Sequence, residues 1–352
     1  MNINYYSPIN STGYGIASLN ILKSLHKNNQ VSYFPIGEPA VDNQQDYDTV
    51  LSLFHNADTA DINAPCVKIW HQFDLMQRIG RGQYYAYPFF ELDQFNDREK
   101  LHMSVPDHLF VSSKWAEEVV KNNNIKTETS VVPLGVDISV FNHAKYSKQQ
   151  KEKYVFLNIG KWEIRKGHDI LLQLFNDAFP NNENVELWIL ASESTNGYSN
   201  EQELQKWKSM YKSDRIRLFS GAKNHHDIAS LIAQCDCGIY PSRAEGWNLE
   251  LLETMAMNKP AIATNYSAHT EFCNNDNCYL VDIDETEKAL DGKAFRGQGN
   301  WAKIGQKQID DIISHMRYVY KNNINTNLNG LKTAELFSWD NSANHMVRCI
   351  RE

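Results

Sequence analysis

The second half of this 352-residue chain alternates short apolar, β-rich runs with segments whose apolar residues recur at helical spacing. A strand is predicted at 154–159, and a helix follows in which Ile170, Leu171 and Leu174 share one face. The pattern continues with strands at 186–191, 216–219, 237–240 and 261–264 and with helices at 227–234 and 249–257. Such alternation is typical of a parallel sheet covered by helices. We therefore predict an α/β fold with a Rossmann-like domain in this half.

The first half repeats the pattern less regularly. Short β-rich runs predict strands at 3–6, 31–35, 49–54, 67–70, 87–90 and 109–112. We expect a turn at Gly13-Tyr14-Gly15, a helix at 16–25, and a further helix capped by Ser113. The polar, lysine-rich segment 143–153 predicts a linker between domains at 1–142 and 153–335. Residues 284–302 are predicted to form a loop before a long helix at 304–320.

The composition excludes several classes of function. With 35 basic and 43 acidic residues the formal net charge is -8, so no general basic surface favours nucleic acid or an anionic membrane. The chain begins without a basic segment and apolar core, and no run reaches the roughly 18 apolar residues of a membrane span. We therefore expect a cytoplasmic protein. The six cysteines lack the spacing of a zinc site or disulfide framework, which predicts buried, reduced thiols.

A cationic loop follows the first predicted strand of the second half. The loop runs from Gly160 to Gly167 and contains Lys161, Arg165 and Lys166. Open α/β sheets bind ligands beyond the carboxyl ends of their strands. Arginine can bind a diphosphate there through bidentate hydrogen bonds, and lysine can bind it as a point charge. The loop is therefore a candidate phosphate site, with a solvated loop as the alternative.

A second segment carries two glutamates and also follows a predicted strand. Glu245 and Glu253 are eight positions apart, Gly246 follows the first, and Asn248 is a good N-cap for a helix that begins at Leu249. The free N–H groups of the first helical turn would point at a bound anion. Both carboxylates can reach one crevice and accept hydrogen bonds from the hydroxyl pairs of a ribose or a sugar. The alternative is that both are surface charges at a helix end.

These residues carry a family resemblance. Glu245 and Glu253 form the E-x7-E pattern of retaining glycosyltransferases, and 245–256 resembles family 4 of the GT-B enzymes. Further segments match in the same order: 160–167, Pro133-Leu134-Gly135-Val136-Asp137, 259–264 and Phe337-Ser338-Trp339-Asp340. The resemblance covers nearly the whole chain. It implies two Rossmann-like domains with parallel sheets that face a central cleft, and a C-terminal helix at about 336–352 that packs back onto the first domain.

The resemblance also assigns roles in the second domain. Arg165 and Lys166 would neutralise the diphosphate of the donor, which is the leaving group. Glu253 would bind the ribose hydroxyls and Glu245 the hydroxyls of the transferred sugar, whereas Glu250 is expected on another helical face. Main-chain amides would hold the sugar and phosphate at Gly246, Trp247, Asn248 and Leu249. The base would stack near Gly221-Ala222-Lys223. Similar enzymes show no obvious protein nucleophile, and none is assigned here.

Three candidates lie in the first domain. Gly13-Tyr14-Gly15 would let the main chain approach the donor phosphate, because glycine permits a tight turn and a close contact. This triplet departs from the paired glycines that are commoner in the family. His71 matches a histidine that the family places beside the transferred sugar, although most single histidines are structural. Glu91, at the end of the strand predicted at 87–90, is a candidate for acceptor binding.

The resemblance predicts an enzyme, a retaining transferase that moves a hexose from a nucleoside diphosphate sugar to a hydroxyl acceptor. The donor nucleotide would be UDP or GDP, the acceptor a glycan or glycolipid, and neither a metal nor another cofactor would be needed. The rival single-domain, metal-dependent type needs an Asp-x-Asp that holds manganese. Asp282-Ile283-Asp284 has this spelling, but it follows the last strand-like run, at 279–281, and lacks the donor-domain context of that type before it.

Three further possibilities concern partners. One is a glucosyltransferase that modifies DNA with hydroxymethylated bases, which the acidic balance disfavours. Another is a nucleotide-sugar-binding protein that has lost catalysis, which intact Arg165, Lys166, Glu245 and Glu253 argue against. Peripheral membrane contact would rest on a small basic patch formed by Lys23, His26 and Lys27, for which a solvated helix face is the alternative.

Overall fold

The structure is a computed structural model that describes residues 1–147, 152–181, 184–192, 201–219, 221–222 and 224–352. The chain divides into two compact units. The first comprises Met1–Gly135 and Phe337–Glu352, and the second comprises Val136–Leu336. Each unit contains a six-stranded parallel sheet. The segment predicted as a linker, 143–153, lies within the second unit, and its residues 148–151 are outside the described residues.

Helices and strands alternate along both units. Up to residue 135 they are β1 (Asn2–Ser7), α1 (Gly13–His26), β2 (Gln30–Pro35), α2 (Gln44–His55), β3 (Cys66–Lys68), β4 (Tyr84–Ala86), α3 (Asp97–Met103), β5 (His108–Val111), α4 (Lys114–Asn122) and β6 (Glu128–Val131). From residue 136 they are β7 (Tyr154–Lys161), α5 (His168–Ala178), β8 (Val185–Ser192), α6 (Glu201–Met210), β9 (Ile216–Phe219), α7 (His225–Gln234), β10 (Cys237–Tyr240), α8 (Leu249–Ala256), β11 (Ala261–Asn265), α9 (His269–Phe272), β12 (Tyr279–Asp282), β13 (Thr286–Leu290), β14 (Arg296–Ala302), α10 (Gln306–Lys321), α11 (Leu328–Leu336) and α12 (Trp339–Arg351).

The sheet of the first unit has the strand order β2-β1-β3-β4-β5-β6. Because β1, β3 and β4 are parallel neighbours, the segments that follow them emerge at one edge of the sheet. The C-terminal helix α12 packs against α1 in the same unit. Lys27 forms an ion pair with Asp340 at 2.6 Å, and the Ser342 hydroxyl donates to the carbonyl of Pro133 at 2.6 Å.

The sheet of the second unit has the order β12-β11-β10-β7-β8-β9. Strands β7 and β10 pair directly, with Phe156 opposite Cys237. Their following loops are therefore neighbours at the carboxyl edge, although about 80 residues separate them in sequence. The core beneath them is apolar, and its buried side chains come from the sheet and from helices α5 and α10. Burial of each large aliphatic side chain contributes roughly 1.5–3 kcal/mol, which fixes the layers that carry these loops.

Two predictions in the first unit are wrong. Residues 49–54, predicted as a strand, belong to α2, which Asn43 caps by accepting from the N–H of Asp46 at 2.8 Å. Val50 and Leu53 are buried on one helical face, so helical packing overrides the β-rich composition. The segment 87–90, also predicted as a strand, follows β4 without regular structure.

The predicted turn at Gly13-Tyr14-Gly15 is the first turn of α1. Thr12 is the N-cap, and its hydroxyl accepts from the N–H of Gly15 at 3.4 Å. A Cβ on Gly15 would overlap the main chain of Asn10, whereas a Cβ on Gly13 would meet no atom within 4 Å. Gly15 is therefore required by close packing within the unit.

The loop predicted at 284–302 contains an antiparallel hairpin of β13 and β14. The hairpin buries Ala289 and Trp301 while most of its other side chains stay exposed or half-buried. Apart from a few buried residues, which include Trp301 and Ala302, the segment is polar, so its composition hides the strands. Two strands, β13 and β14, therefore lie between β12 and α10, where the sequence predicts a loop.

Candidate functional site

The loop after β7 presents two buried cations. Arg165 and Lys166 are only 6% and 7% exposed. Gly167 follows them with φ 80° and is the N-cap of α5. A Cβ at Gly167 would overlap the carbonyl of Pro241, so glycine allows the loop after β7 to touch the loop after β10.

The loop after β10 ends in a capped helix. Asn248 has φ 80°, a left-handed conformation that asparagine tolerates, and its side chain accepts from the N–H of Leu251 at 3.2 Å. The predicted N-cap is therefore confirmed. The amide of Asn248 also contacts Nε2 of His269 at 2.8 Å, and Nδ1 of that histidine lies 2.9 Å from the carbonyl of Thr264. Asn248 therefore links the start of α8 to His269, the first residue of α9.

Glu245 joins the two loops. Its Oε2 accepts from Nη1 of Arg165 at 2.7 Å, and its Oε1 lies 3.0 Å from Nζ of Lys166. The Ser242 hydroxyl donates to Oε1 at 2.7 Å, and the N–H of Glu245 donates to the Ser267 hydroxyl at 2.8 Å. The structure therefore brings the cations of one predicted motif against the first glutamate of the other.

The electrostatics of this cluster favour charged side chains. Burial opposes ionisation of Glu245, but Arg165 and Lys166 outweigh it and lower the pKa of Glu245 to about 2. Burial likewise opposes the charge on Lys166, yet Glu245 and Glu250 raise the pKa of Lys166 above its ordinary value. Glu245 is therefore ionised at neutral pH and can only accept hydrogen bonds from a ligand.

The cations are not free in this structure. Arg165 also donates to Glu163 Oε2 from Nε at 3.1 Å and from Nη2 at 2.8 Å. Although burial opposes it, Arg165 and Lys166 lower the pKa of Glu163. Glu163, Glu245 and Glu250 together offset the two positive charges. A diphosphate that reaches them must share them with carboxylates.

Glu253 has a different environment. It is buried in α8, and among the described residues its carboxyl forms no ion pair. Burial raises the pKa of Glu253 well above its ordinary value, and Glu250 adds to this effect. The expectation for Glu250 is wrong, because its Oε2 lies 3.6 Å from Nζ of Lys166. Positions three apart in a helix share a face, which explains why Glu250 and Glu253 are neighbours.

Sequence reasoning missed Arg243. This buried arginine binds Asp169 at the start of α5 with two contacts of 2.8 Å. The main-chain N–H of Arg243 donates to the main-chain carbonyl of Arg165 at 2.7 Å. Its Nε lies 3.3 Å from Glu287, and its guanidinium stacks over Trp301 of the hairpin. Arg243 therefore positions the loop after β7, and only its place inside a motif could have indicated this.

The remaining candidates of the second unit differ in exposure. Lys161 and Leu249 are half-buried, and Ala222 is exposed. Trp247 is buried against Phe272, with ring centroids 4.9 Å apart. Gly246, between Glu245 and Trp247 in sequence, is also buried. Lys223, named with the base site, lies outside the described residues. The roles assigned to these residues stay predictions.

In the first unit, a separate aromatic cluster forms at the edge of the sheet. The Tyr14 ring lies 4.5 Å from His71 and 4.8 Å from Phe89, measured between centroids. The Tyr14 hydroxyl donates to the carbonyl of Phe89 at 2.7 Å and accepts from its N–H at 2.8 Å. These contacts hold the segment after β4, which explains why it is not a strand. Glu91 lies five residues beyond β4 rather than at its end and contributes to raising the pKa of Tyr14, after burial.

Other predicted features fall outside these clusters. Asp284 forms an ion pair with Lys307 at 2.6 Å, and Asp282 accepts from Asn265 at 2.8 Å. In the described part of the chain, no three His, Cys, Asp or Glu side chains are grouped as metal ligands. The six cysteines all lie in the described residues; none forms a disulfide, and five are buried. None of the described helices combines the length and apolar character needed to cross a bilayer.

Comparisons with solved structures define the fold. The chain superposes over its full length on sucrose-phosphate synthase from Thermosynechococcus elongatus (TM-score 0.71, 13% identity, 98% of that chain covered). HepE of Anabaena, solved with UDP-glucose, gives a TM-score of 0.69 at 14% identity and covers 100% of this chain and 99% of that one. A glycosyltransferase of Rickettsia africae gives 0.68 at 12% identity, covering 99% and 97%. With two parallel six-stranded sheets, the chain has the GT-B fold, and this prediction is confirmed.

Sequence comparison adds a more specific assignment. Residues 141–293 match the family of glycosyl transferases group 1, which confirms the prediction of a glycosyltransferase domain. An uncharacterized glycosyltransferase of Methanocaldococcus jannaschii is 24% identical over 230 residues. That alignment covers 59% of this chain and 60% of the relative's length. Both clusters of the second unit, the Arg165 loop and the α8 segment, lie inside the matched range.

Proposed function

We propose that this protein is a retaining glycosyltransferase that moves a hexose from a nucleoside diphosphate sugar to a hydroxyl acceptor without a metal. The observation that carries the proposal is the buried cluster of Arg165, Lys166 and Glu245 within the matched domain. It combines cations for a diphosphate with a carboxylate for hydroxyl groups at the carboxyl edge of a parallel sheet. That HepE of Anabaena was solved with UDP-glucose adds support for a nucleotide-sugar donor.

The chemical demand is greatest on the leaving group. When the bond between the sugar and the diphosphate breaks, negative charge concentrates on the phosphate oxygens. Arg165 and Lys166 would stabilise that charge, and the first-turn N–H groups of α8 would add to it. Since Glu163 and Glu245 already fix the two cations, little reorganisation is needed when the charge develops.

The two motif glutamates differ in their electrostatic environment. Glu245 is ionised and would accept hydrogen bonds from hydroxyls of the transferred sugar. Glu253 is buried with no ion pair among the described residues and has a raised pKa, and its carboxyl would form hydrogen bonds with the ribose hydroxyls. The arrangement differs from the paired carboxylates of glycoside hydrolases, which act as acid and nucleophile.

We assign no protein nucleophile. Both oxygens of Glu245 accept from Arg165, Lys166 or Ser242, and a carboxylate held in this way with a pKa of about 2 is a weak nucleophile. The acceptor hydroxyl would attack the face from which the diphosphate departs, which retains the anomeric configuration. The acceptor, a glycan or glycolipid, would be bound by the first unit, where Glu91 is the candidate residue.

The proposal is tested by a thermal-shift screen of UDP and GDP sugars, followed by product analysis. A donor that binds the folded state stabilises it by an amount that grows with the logarithm of the donor concentration divided by its dissociation constant. We expect stabilisation by one nucleotide class, transfer or slow hydrolysis of that donor, and retention seen by proton NMR of the anomeric proton. Full activity should persist with a chelator. Loss that only manganese restores would contradict the metal-free mechanism, and tight binding without turnover would indicate a protein that has lost catalysis.

A variant pair tests the cluster directly. Arg165→Ala should lower kcat/KM for the donor by about 10²–10³-fold, because it removes one charge-stabilising donor. Arg296, an exposed arginine of β14 in the same unit, offers the matched control Arg296→Ala with unchanged kinetics. Circular dichroism establishes that both variants are folded. Equal kinetics for the two variants would refute the assignment of Arg165.

A further inference from the structure

Glu250 is the least constrained member of the charged cluster. Its Oε2 lies 3.6 Å from Nζ of Lys166, which is longer than a normal hydrogen bond. The Glu250 side chain is 27% exposed, whereas those of Lys166 and Glu245 are 8% and 5% exposed. Among the described residues its carboxylate forms no other ion pair. The contact is therefore loose and close to solvent.

The main chain of Glu250 is, by contrast, firmly held. Its carbonyl accepts from the Tyr240 hydroxyl at 3.1 Å and from the Thr254 hydroxyl at 2.8 Å. Helix α8 therefore stays in place whatever the Glu250 side chain does. Rotation of that side chain towards solvent costs one long ion pair and requires no change in the backbone.

Lys166 has more negative charge around it than one cation requires. Glu245 lies 3.0 Å from its ammonium group and Glu250 3.6 Å. Glu245 has Arg165 and Ser242 as further partners, so it stays in place without Lys166. The Glu250 carboxylate is therefore the anion that can leave Lys166 at the lowest cost.

A donor diphosphate would need the position that Glu250 holds. Glu250 lies in the first turn of α8, where free N–H groups favour an anion, and it contacts the cation assigned to the leaving group. If both contacted the Lys166 ammonium group, the Glu250 carboxylate and the diphosphate would lie a few ångströms apart and would repel each other. We propose that Glu250 is an internal counter-ion of Lys166, which the donor diphosphate displaces and which promotes release of the nucleoside diphosphate product. This inference rests on the proposed function.

Loss of the Glu250 carboxylate should change donor affinity in the opposite direction to loss of either motif glutamate, Glu245 or Glu253. Loss of Glu245 or Glu253 would weaken donor binding, because their carboxyls would contact the ligand. Loss of the Glu250 charge would strengthen it, because a competitor and a repulsion both disappear. After a discount for its partial exposure, we expect about five-fold tighter binding of the nucleoside diphosphate.

The experiment uses the full chain and isothermal titration with UDP, GDP, ADP and dTDP. Glu250→Gln and Glu250→Ala should both bind the preferred diphosphate about five-fold more tightly than wild type. Asp310→Asn removes one exposed charge from α10 of the same unit and should bind like wild type. In steady-state assays, product inhibition by the diphosphate should strengthen by a similar factor in the Glu250 variants only.

The outcomes separate the two proposals. If wild type binds none of the four diphosphates at millimolar concentration, the proposed function fails and the role of Glu250 fails with it. If wild type binds one of them but both Glu250 variants bind it equally or more weakly, only the counter-ion role is refuted. Equal tightening in Asp310→Asn would also refute it, because the effect would then reflect net charge alone.

Discussion

Replacement of Glu245 by glutamine tests whether the ionised carboxylate holds the site together. The substitution keeps the shape of the side chain and removes its charge, which leaves Arg165 and Lys166 without their shared buried partner. Breaking a buried ion pair by removing one partner costs about 3–5 kcal/mol. The depressed pKa gives an independent value, because lowering it from 4.5 to about 2 corresponds to roughly 3 kcal/mol of stability at neutral pH.

The pH dependence of this loss has a definite sign. A carboxyl whose pKa is lower in the folded state stabilises the protein above the unfolded pKa, and that stability is lost as the pH falls through the folded pKa. The difference between wild type and Glu245→Gln should therefore be about 3 kcal/mol at pH 7 and only about 1 kcal/mol at pH 3. Most of the change should occur below pH 4.5.

Urea unfolding between pH 7 and pH 3 measures this difference. Glu250→Gln is the matched control, because its carboxylate is more exposed and farther from Lys166, and it should cost less than about 1 kcal/mol at every pH. If the free energy of unfolding of Glu245→Gln at pH 7 is within about 1 kcal/mol of the wild-type value, the reasoning is refuted, since removal of a buried carboxylate between two cations should destabilise the fold by more than that. A large loss that does not shrink at low pH would show that the loss does not depend on ionisation of the Glu245 carboxyl.

Two glycine predictions concern backbone contacts. Gly15→Ala should cost about 2 kcal/mol or more in thermal unfolding, because a Cβ there overlaps the main chain of Asn10; its control Gly13→Ala has open space and should be neutral or slightly stabilising. Gly167→Ala should destabilise by about 1–3 kcal/mol and raise the KM for the donor, because its φ of 80° and the Pro241 carbonyl exclude a side chain. A stable Gly167→Ala with wild-type KM would contradict the contact between the two loops.

Local pattern was sufficient for several strands and helices of the second unit. The strands predicted at 216–219 and 237–240 are β9 and β10 within the same bounds, and the helix predicted from Leu249 is α8. Continuous apolar runs and a capping asparagine are signals contained within a few residues, so neighbouring elements are not needed to interpret them.

Prediction failed where distant contacts select the local structure. Residues 49–54 have β-rich composition, but Val50 and Leu53 pack as one helical face of α2. The hairpin of β13 and β14 is mostly polar and is defined by Trp301, whose ring lies beneath the Arg243 guanidinium. The packing of α2 cannot be inferred from spacing, because the residues that cover its buried face are remote in sequence. The hairpin cannot be inferred either, because Trp301 is a single large apolar residue in a polar run and Arg243 is remote from it in sequence.

The sequence by itself determined the alternation that produces a GT-B fold and the two motifs that hold the candidate donor site. Only the tertiary structure decided that Arg165 and Lys166 are held by carboxylates, that Glu250 faces Lys166, and that Arg243 positions their loop. The physical reason is that β7 and β10 pair side by side, and this pairing brings together charges about 80 positions apart. The sequence gives the number and spacing of the charged residues, whereas the distances between their side chains in space decide which charges neutralise one another.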